Sequence, residues 1–315
     1  MTPSTVLKPA ALRPGATLAV ISPASTPKPE LVQQGIDRLH ALGYRTVLSP
    51  HALDKGPLYF AGTLEHRLAE LHAAFADPAI DGIICTRGGW GSAELLPFLD
   101  AALIRSNPKL FIGFSDHTSL HCWLRQQVGL ITLYGPMVAS DFGREDGVDL
   151  PSWHHSVEGS APWSLTAADG LRILRAGITE GTLHGGCLSI LAEALGTPYA
   201  PQPIENSILF LEDIGTKPYQ WDRMLLHLRY AGLLEGVRGI VFGDMLQCVP
   251  LEENELLEGA ILHALRDFTG PIAIGLRSGH VDTPNITLPL GLSAKLDLSQ
   301  PGNPQFHLLE SAVTA

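Results

Sequence analysis

Three short apolar runs, each followed by a turn and a helical stretch, constrain the first half of this chain more than any other feature. They are residues 17–22 (TLAVIS), 80–86 (IDGIICT) and 110–114 (LFIGF). Runs this short and continuously apolar suit strands buried on both faces, as in parallel sheets. Between the first two, residues 29–42 place Leu31, Ile36, Leu39 and Leu42 near one helical face, opened by Pro29 and stopped by Gly43. Thr63 offers an N-cap to a second helix, whose Leu64, Leu68, Leu71 and Phe75 form one stripe before Asp77-Pro78 ends it. A short helix is expected around 93–99. The 110–114 run passes straight into Ser115-Asp116-His117-Thr118 and a helical stretch through Leu120, Trp123 and Leu124. This βαβα order predicts a parallel sheet with helices on both faces.

The pattern dissolves over residues 142–180, which hold Trp153, Trp163 and the His154-His155 pair among Gly, Pro and Ser. It resumes at 185–195. A strand follows at 207–211 (SILFL), then a helix over 219–230 with Met224, Leu225 and Leu228 inward. Further strands fall at 239–242 (GIVF) and 271–275 (PIAIG), with β-hairpin material near Thr287 and 294–298. The 315 residues allow two domains. The expected fold is α/β: an N-terminal parallel-sheet domain over 1–141, a linker over 142–180, and a smaller mixed α/β domain over 181–315.

Composition excludes several classes. The formal net charge of -11 disfavours nucleic-acid and anionic-membrane partners. The opening MTPSTVLK lacks the charged start and apolar run of a secretory signal, and no run approaches the ~20 residues of a membrane helix. Cys85, Cys122, Cys187 and Cys248 are widely spaced and form no CxxC pair, as expected of buried, reduced thiols in a cytoplasmic protein. There is no HExxH motif, and the adjacent His154 and His155 diverge in most conformations, so neither a metal nor another cofactor is expected.

Ser115 would sit on a sharp strand-to-helix turn, where a hydroxyl is exposed and free N–H groups face a developing oxyanion. Its string Gly113-Phe114-Ser115-Asp116-His117 has the leading Gly of a GxSxG elbow, with His117 where the closing Gly belongs. A mere helix cap would look the same. The loop Arg87-Gly88-Gly89-Trp90-Gly91 lets backbone N–H groups approach a ligand. Gly89 and the Asp116 N–H are candidate halves of an oxyanion hole, and Arg87, Gly88 and Trp90 are candidate substrate contacts. A serine nucleophile needs a base, and thirteen histidines leave it open among His117, His121 and the loop residue His280. Glu212, at the end of SILFL, is a carboxylate that could orient an imidazole.

Taken together these stretches resemble the LD-carboxypeptidase family, which includes murein tetrapeptide carboxypeptidases and microcin C immunity hydrolases. The resemblance is carried by Tyr59-Phe60-Ala61-Gly62-Thr63, Arg87-Gly88-Gly89-Trp90-Gly91, Ile112-Gly113-Phe114-Ser115-Asp116, Leu211-Glu212-Asp213, and Gly279-His280 with Asn285 and Pro289. Tyr134-Gly135-Pro136 and Gly185-Gly186 also sit in family-like positions. The resemblance implies a Ser115–His280–Glu212 triad in an interdomain cleft. It also implies hydrolysis of the bond to a terminal D-residue: release of D-alanine from a murein tetrapeptide in cytosolic cell-wall recycling. The expected partner is a small peptide, and the expected assembly a homodimer. Cys187 stands where many relatives have Asn, and Trp90 where many have Tyr. Two rival functions are a hydrolase of microcin C-type peptidyl-nucleotides, with Trp153 or Trp163 stacking on adenine, and a non-catalytic peptide-binding protein.

Overall fold

A computed structural model describes residues 6–314, so part of the opening MTPSTVLK lies outside the described residues. The chain divides into two compact units. The first takes the chain up to Ser160, Thr283–Gly291 and the residues from Ser311 on; the second takes Ala161–Asp282 and Leu292–Glu310.

The first unit is built on a six-stranded sheet. Its strands run, edge to edge, Leu288–Leu290, Thr132–Tyr134, Leu110–Gly113, Gly82–Cys85, Thr17–Ile21 and Arg45–Leu48. All pairings are parallel except that of Leu288–Leu290 with Thr132–Tyr134. The three expected strands lie at its centre and are buried throughout. The edge strand Arg45–Leu48 is largely exposed, which is why no apolar run marks it. Pro29 opens the helix Pro29–Ala41, which buries Val32, Gly35, Ile36 and Leu39. Gly35 is required there, since a Cβ would come 2.1 Å from the Val138 carbonyl oxygen. Thr63 caps the helix Leu64–Ala76 by accepting the His66 N–H. That helix buries Leu71 and Phe75 as its stripe requires, but it also buries Arg67, whose guanidinium has other partners described below.

The second unit holds an eight-stranded mixed sheet. Ile178–Cys187, Ser207–Glu212, Val237–Gly243 and Ile272–Leu276 are its parallel centre. Antiparallel strands flank this centre on both sides. The helices Pro218–Tyr230 and Asn254–Ala264 belong to this unit.

Two expectations are corrected. Residues 142–180 are not a linker. The helix Leu150–Glu158 belongs to the first unit, where Trp153 is fully buried against Tyr44 and Phe142. The strands Trp163–Thr166 and Arg172–Arg175 belong to the second. Each element is too short to show its period among Gly, Pro and Ser. The late strands are also not one hairpin. Leu288–Leu290 joins the first sheet, while Ser293–Asp297 joins the second and pairs with Gln305–Leu308. Continuous boundaries at 141 and 181 therefore miss a chain that returns twice to its first unit. Among the described residues no helix is long and apolar enough to cross a membrane.

Candidate active site

In the first unit, the strand Leu110–Gly113 ends, Phe114 is still extended, and Ser115 turns to φ 63° before two helical segments carry the chain on to Trp123. A left-handed conformation at a residue with a Cβ costs roughly 1–2 kcal/mol and persists only where the surroundings impose it. Here they do. The Ser115 N–H donates to the Tyr134 phenol oxygen at 3.2 Å. Gly88 lies directly against the serine, since a Cβ there would come 2.8 Å from Ser115 Cβ and 3.0 Å from Oγ. Ser115 itself is partly exposed.

Two of the three candidate bases are eliminated by their hydrogen bonds. A carbonyl oxygen only accepts, so His117 carries its proton on Nε2, donating to the Arg87 oxygen at 3.0 Å, while Nδ1 accepts from the Ser92 hydroxyl at 2.9 Å. His121 likewise donates Nε2–H to the Gly113 oxygen and accepts from the Thr132 hydroxyl, both at 2.8 Å. Burial lowers their pKa values to about 4 and about 3, so both rings are neutral struts. His117 also explains the missing Gly of the elbow: its ring fills that corner and fixes the 87–91 loop.

That loop is held from several sides. Ser25 Oγ accepts the Trp90 N–H at 3.1 Å. The buried Arg67 donates to the Pro23 and Gly91 oxygens at 3.0 and 2.8 Å and to Glu94 at 2.6 Å, with its guanidinium carbon 4.7 Å from the Phe60 ring centroid. The Asp116 carboxylate accepts the Ser92 N–H at 2.8 Å, and burial raises its pKa. Asp116 is thus fixed by its side chain, which leaves its backbone N–H beside Ser115. Of the two glycines, Gly88 faces Ser115, whereas Gly89, at φ 109°, faces Ser25. Arg87 and Trp90 are exposed. Neither Ser25, Arg67 nor Tyr134 carries a sequence signal of this role, because each acts across the fold on a backbone group.

In the second unit Glu212 is the last residue of its strand and 1% exposed. Its Oε2 accepts both the His280 backbone N–H at 2.9 Å and the ring Nδ1–H at 2.8 Å. Two bonds from one residue to one oxygen fix both backbone and ring. With the proton on Nδ1, the neutral imidazole keeps its basic lone pair on Nε2. Gly279 makes this approach possible: at φ 92°, a Cβ there would come 2.4 Å from Glu212 Cδ. The neighbouring Asp213 points elsewhere, accepting the Ser189 N–H at 2.8 Å and the Ile214 N–H at 2.9 Å. Burial, then the Glu212 charge, raises its pKa. Cys187 pairs in register with Glu212 and is buried, its thiol pushed well up by desolvation. A polar cavity of about 650 Å³ beside Asp244, Arg277 and Asp282 is lined by neither Glu212 nor His280.

Residues 18–135 match the LD-carboxypeptidase N-terminal domain, and residues 180–296 its C-terminal domain. The chain belongs to the LD-carboxypeptidase family. Its relatives in this family include a probable murein peptide carboxypeptidase of Bacillus subtilis, 36% identical over 301 residues, covering 93% of this chain and 92% of that protein. The microcin C7 self-immunity protein MccF of Escherichia coli is 29% identical, covering 88% of each chain. Among solved structures, the muramoyltetrapeptide carboxypeptidase of Oxalobacter formigenes superposes with a TM-score of 0.82 at 31% identity, covering 95% of this chain and 100% of that one. Membership in the LD-carboxypeptidase family supports a hydrolase with peptidase activity of the carboxypeptidase kind.

Proposed function

We propose that this LD-carboxypeptidase family member is a serine-type enzyme that releases a terminal D-alanine from murein tetrapeptide in cell-wall recycling. The observation that carries it is the left-handed Ser115, held at the strand-to-helix turn by Tyr134 and by the close approach of Gly88. Ser115 Oγ is the nucleophile, His280 Nε2 the base, and Glu212 the acid that fixes the ring. Ser115 belongs to the first unit, Glu212 and His280 to the second. Nε2 takes the hydroxyl proton as Oγ attacks the scissile carbonyl. The Gly89 and Asp116 N–H groups receive the oxyanion, and the imidazolium returns its proton to the leaving amine. Water then releases the acyl group by the same steps in reverse. Arg87 meets the substrate carboxylate, with Gly88 and Trp90 lining its path. The enzyme acts in the cytosol as a homodimer.

The likeness to MccF supports a second reading, hydrolysis of a microcin C-type peptidyl-nucleotide. Adenine stacking needs an accessible aromatic ring. Trp153 is fully buried and donates its Nε1–H to the Tyr44 hydroxyl, and Trp163 is 8% exposed, so both rings are occupied in packing. Trp90, at 36%, is the accessible indole near Ser115's loop. A hydrolysis panel read by mass spectrometry separates the readings. The first expects D-alanine from an L,D-tetrapeptide and none of the corresponding L-alanine from an all-L peptide. Preferential cleavage of an aminoacyl-sulfamoyl nucleotide would favour the second. Binding of peptide with no cleavage of any substrate would leave only a binding protein.

A further inference from the structure

His51, Asp54 and His66 of the first unit converge without any part in the chemistry above. Asp54 Oδ2 lies 2.7 Å from His51 Nδ1 and 3.8 Å from His66 Nδ1. The two imidazoles stack face to face, 3.7 Å between centroids and 15° between planes. All three donor atoms lie within 4.8 Å of one another. His66 Nδ1 is shielded from solvent and has no hydrogen-bond partner, although 43% of its side chain is exposed. A ring nitrogen shielded from water, without a hydrogen-bond partner and 3.8 Å from a carboxylate oxygen, lacks a polar partner. A cation supplies one.

We propose that His51, Asp54 and His66 form a site for one divalent transition-metal ion of the zinc type. Two imidazoles and one carboxylate are a donor set that suits zinc, nickel or cobalt rather than calcium or magnesium. Donors about 2.0–2.1 Å from a tetrahedral zinc stand about 3.3 Å apart. The observed 2.7 and 3.8 Å straddle that spacing, and binding would also tilt the two stacked rings out of parallel so that each Nδ1 lone pair points at the ion. On binding, the His51 proton moves from Nδ1 to Nε2, Nδ1 takes the metal, and water fills the remaining position.

The backbones behind the donors are already fixed. Glu70 Oε1 accepts the His51 N–H at 2.6 Å, Thr63 Oγ1 accepts the His66 N–H at 3.3 Å, and Gly62 packs on Asp54, where a Cβ would come 3.5 Å from Asp54 Cβ. Such supporting contacts orient metal ligands. The ion would join the 51–54 turn to the first turn of the helix that carries Arg67. The segment between them carries Phe60, whose ring Arg67 covers.

The test is a calorimetric titration of zinc chloride into the untagged full-length protein after chelator treatment, with cobalt(II) absorption as a second readout. One equivalent should bind, and cobalt should develop the intense visible bands of a tetrahedral site. His51→Ala and His66→Ala should each weaken binding by at least about tenfold, since even partners behind metal ligands are worth 10–100-fold. Both should lose the cobalt bands. Circular dichroism of the metal-free variants checks that they fold, and Asp54→Asn provides a milder variant if either does not. Zinc binding unchanged in the His51→Ala/His66→Ala double variant, or no binding at millimolar zinc, would overturn the proposal.

Discussion

Around Ser115 the geometry is imposed by backbone; around Glu212 it is imposed by a carboxylate. The serine is held in a left-handed turn by a phenol on its N–H and by a glycine that lets the neighbouring loop touch it. The histidines nearest it in sequence are buried neutral braces. His280 is instead gripped twice by one buried oxygen, which sets both its tautomer and its direction. Exposing a hydroxyl at a strand end takes strain and close packing, whereas orienting an imidazole takes one charged acceptor and two donors. The two regions should therefore fail in different ways.

The largest effect is expected at Ser115, the proposed nucleophile. Ser115→Ala should lower kcat by roughly 10³-fold or more with unchanged circular dichroism, because the truncation removes the attacking atom and keeps the turn. Turnover within about tenfold of the parent would break the assignment of Ser115 as nucleophile. Next comes the carboxylate. Glu212→Gln keeps size but removes charge and can offer its own N–H₂ to the ring, so a loss of about 10²–10⁴-fold is expected, mainly in kcat. Asp213→Asn, whose side chain serves the Ser189 and Ile214 N–H groups, should cost far less. An inactive Asp213→Asn beside a near-normal Glu212→Gln would reverse the choice of acid and leave Ser115 standing alone.

Gly279→Ala sharpens the comparison from the backbone side. A methyl 2.4 Å from Glu212 Cδ must push the carboxylate aside. An ångström of misplacement can cost about 10²-fold, and a fall of that order in kcat is expected. Activity equal to the parent would mean that the Glu212–His280 contact is dispensable.

The smallest effect is on stability. Burial holds the His117 and His121 pKa values below their ordinary 6.5, at about 4 and about 3. The unfolded chain therefore binds protons first as the pH falls. The stability these rings support is complete above about 6.5 and is lost on acidification toward about 4. At pH 5 His117 alone accounts for about 2 kcal/mol of that loss. Urea unfolding at pH 7 and pH 5 should show it, and His117→Gln should make the difference correspondingly smaller. An equal difference in parent and variant would show that the ring is not held neutral.

Legibility from sequence followed the same division. The central strands, Ser115 at a strand end and Glu212 closing SILFL could be read because continuous burial writes an apolar run into the sequence. Thr63 was legible as a cap because capping is local. Arg67 was not, since it completes bonds to Pro23, Gly91 and Glu94 that only folding brings near. Ser25 acts on a backbone N–H far along the chain and leaves no motif, while Tyr134, though it opens the family-like Tyr134-Gly135-Pro136, shows its role only where its phenol meets the Ser115 N–H. Composition left the base open among three histidines. Two were removed only when each ring nitrogen could be assigned a partner. The helix Leu150–Glu158 was hidden because two turns among Pro, Ser and Gly show too little period. His51, Asp54 and His66 match no familiar metal spacing, and stacking of the rings is a property of the fold alone.

The central claim is the proposal that Ser115 is the nucleophile and His280 its base. Reaction with a serine-directed phosphonate tests it most directly, with the adduct located by peptide mapping. The account predicts one adduct, on Ser115, formed at least about 10²-fold more slowly in His280→Ala, because the base no longer takes the hydroxyl proton. Absence of an adduct on Ser115, or labelling at the parent rate in His280→Ala, would contradict it.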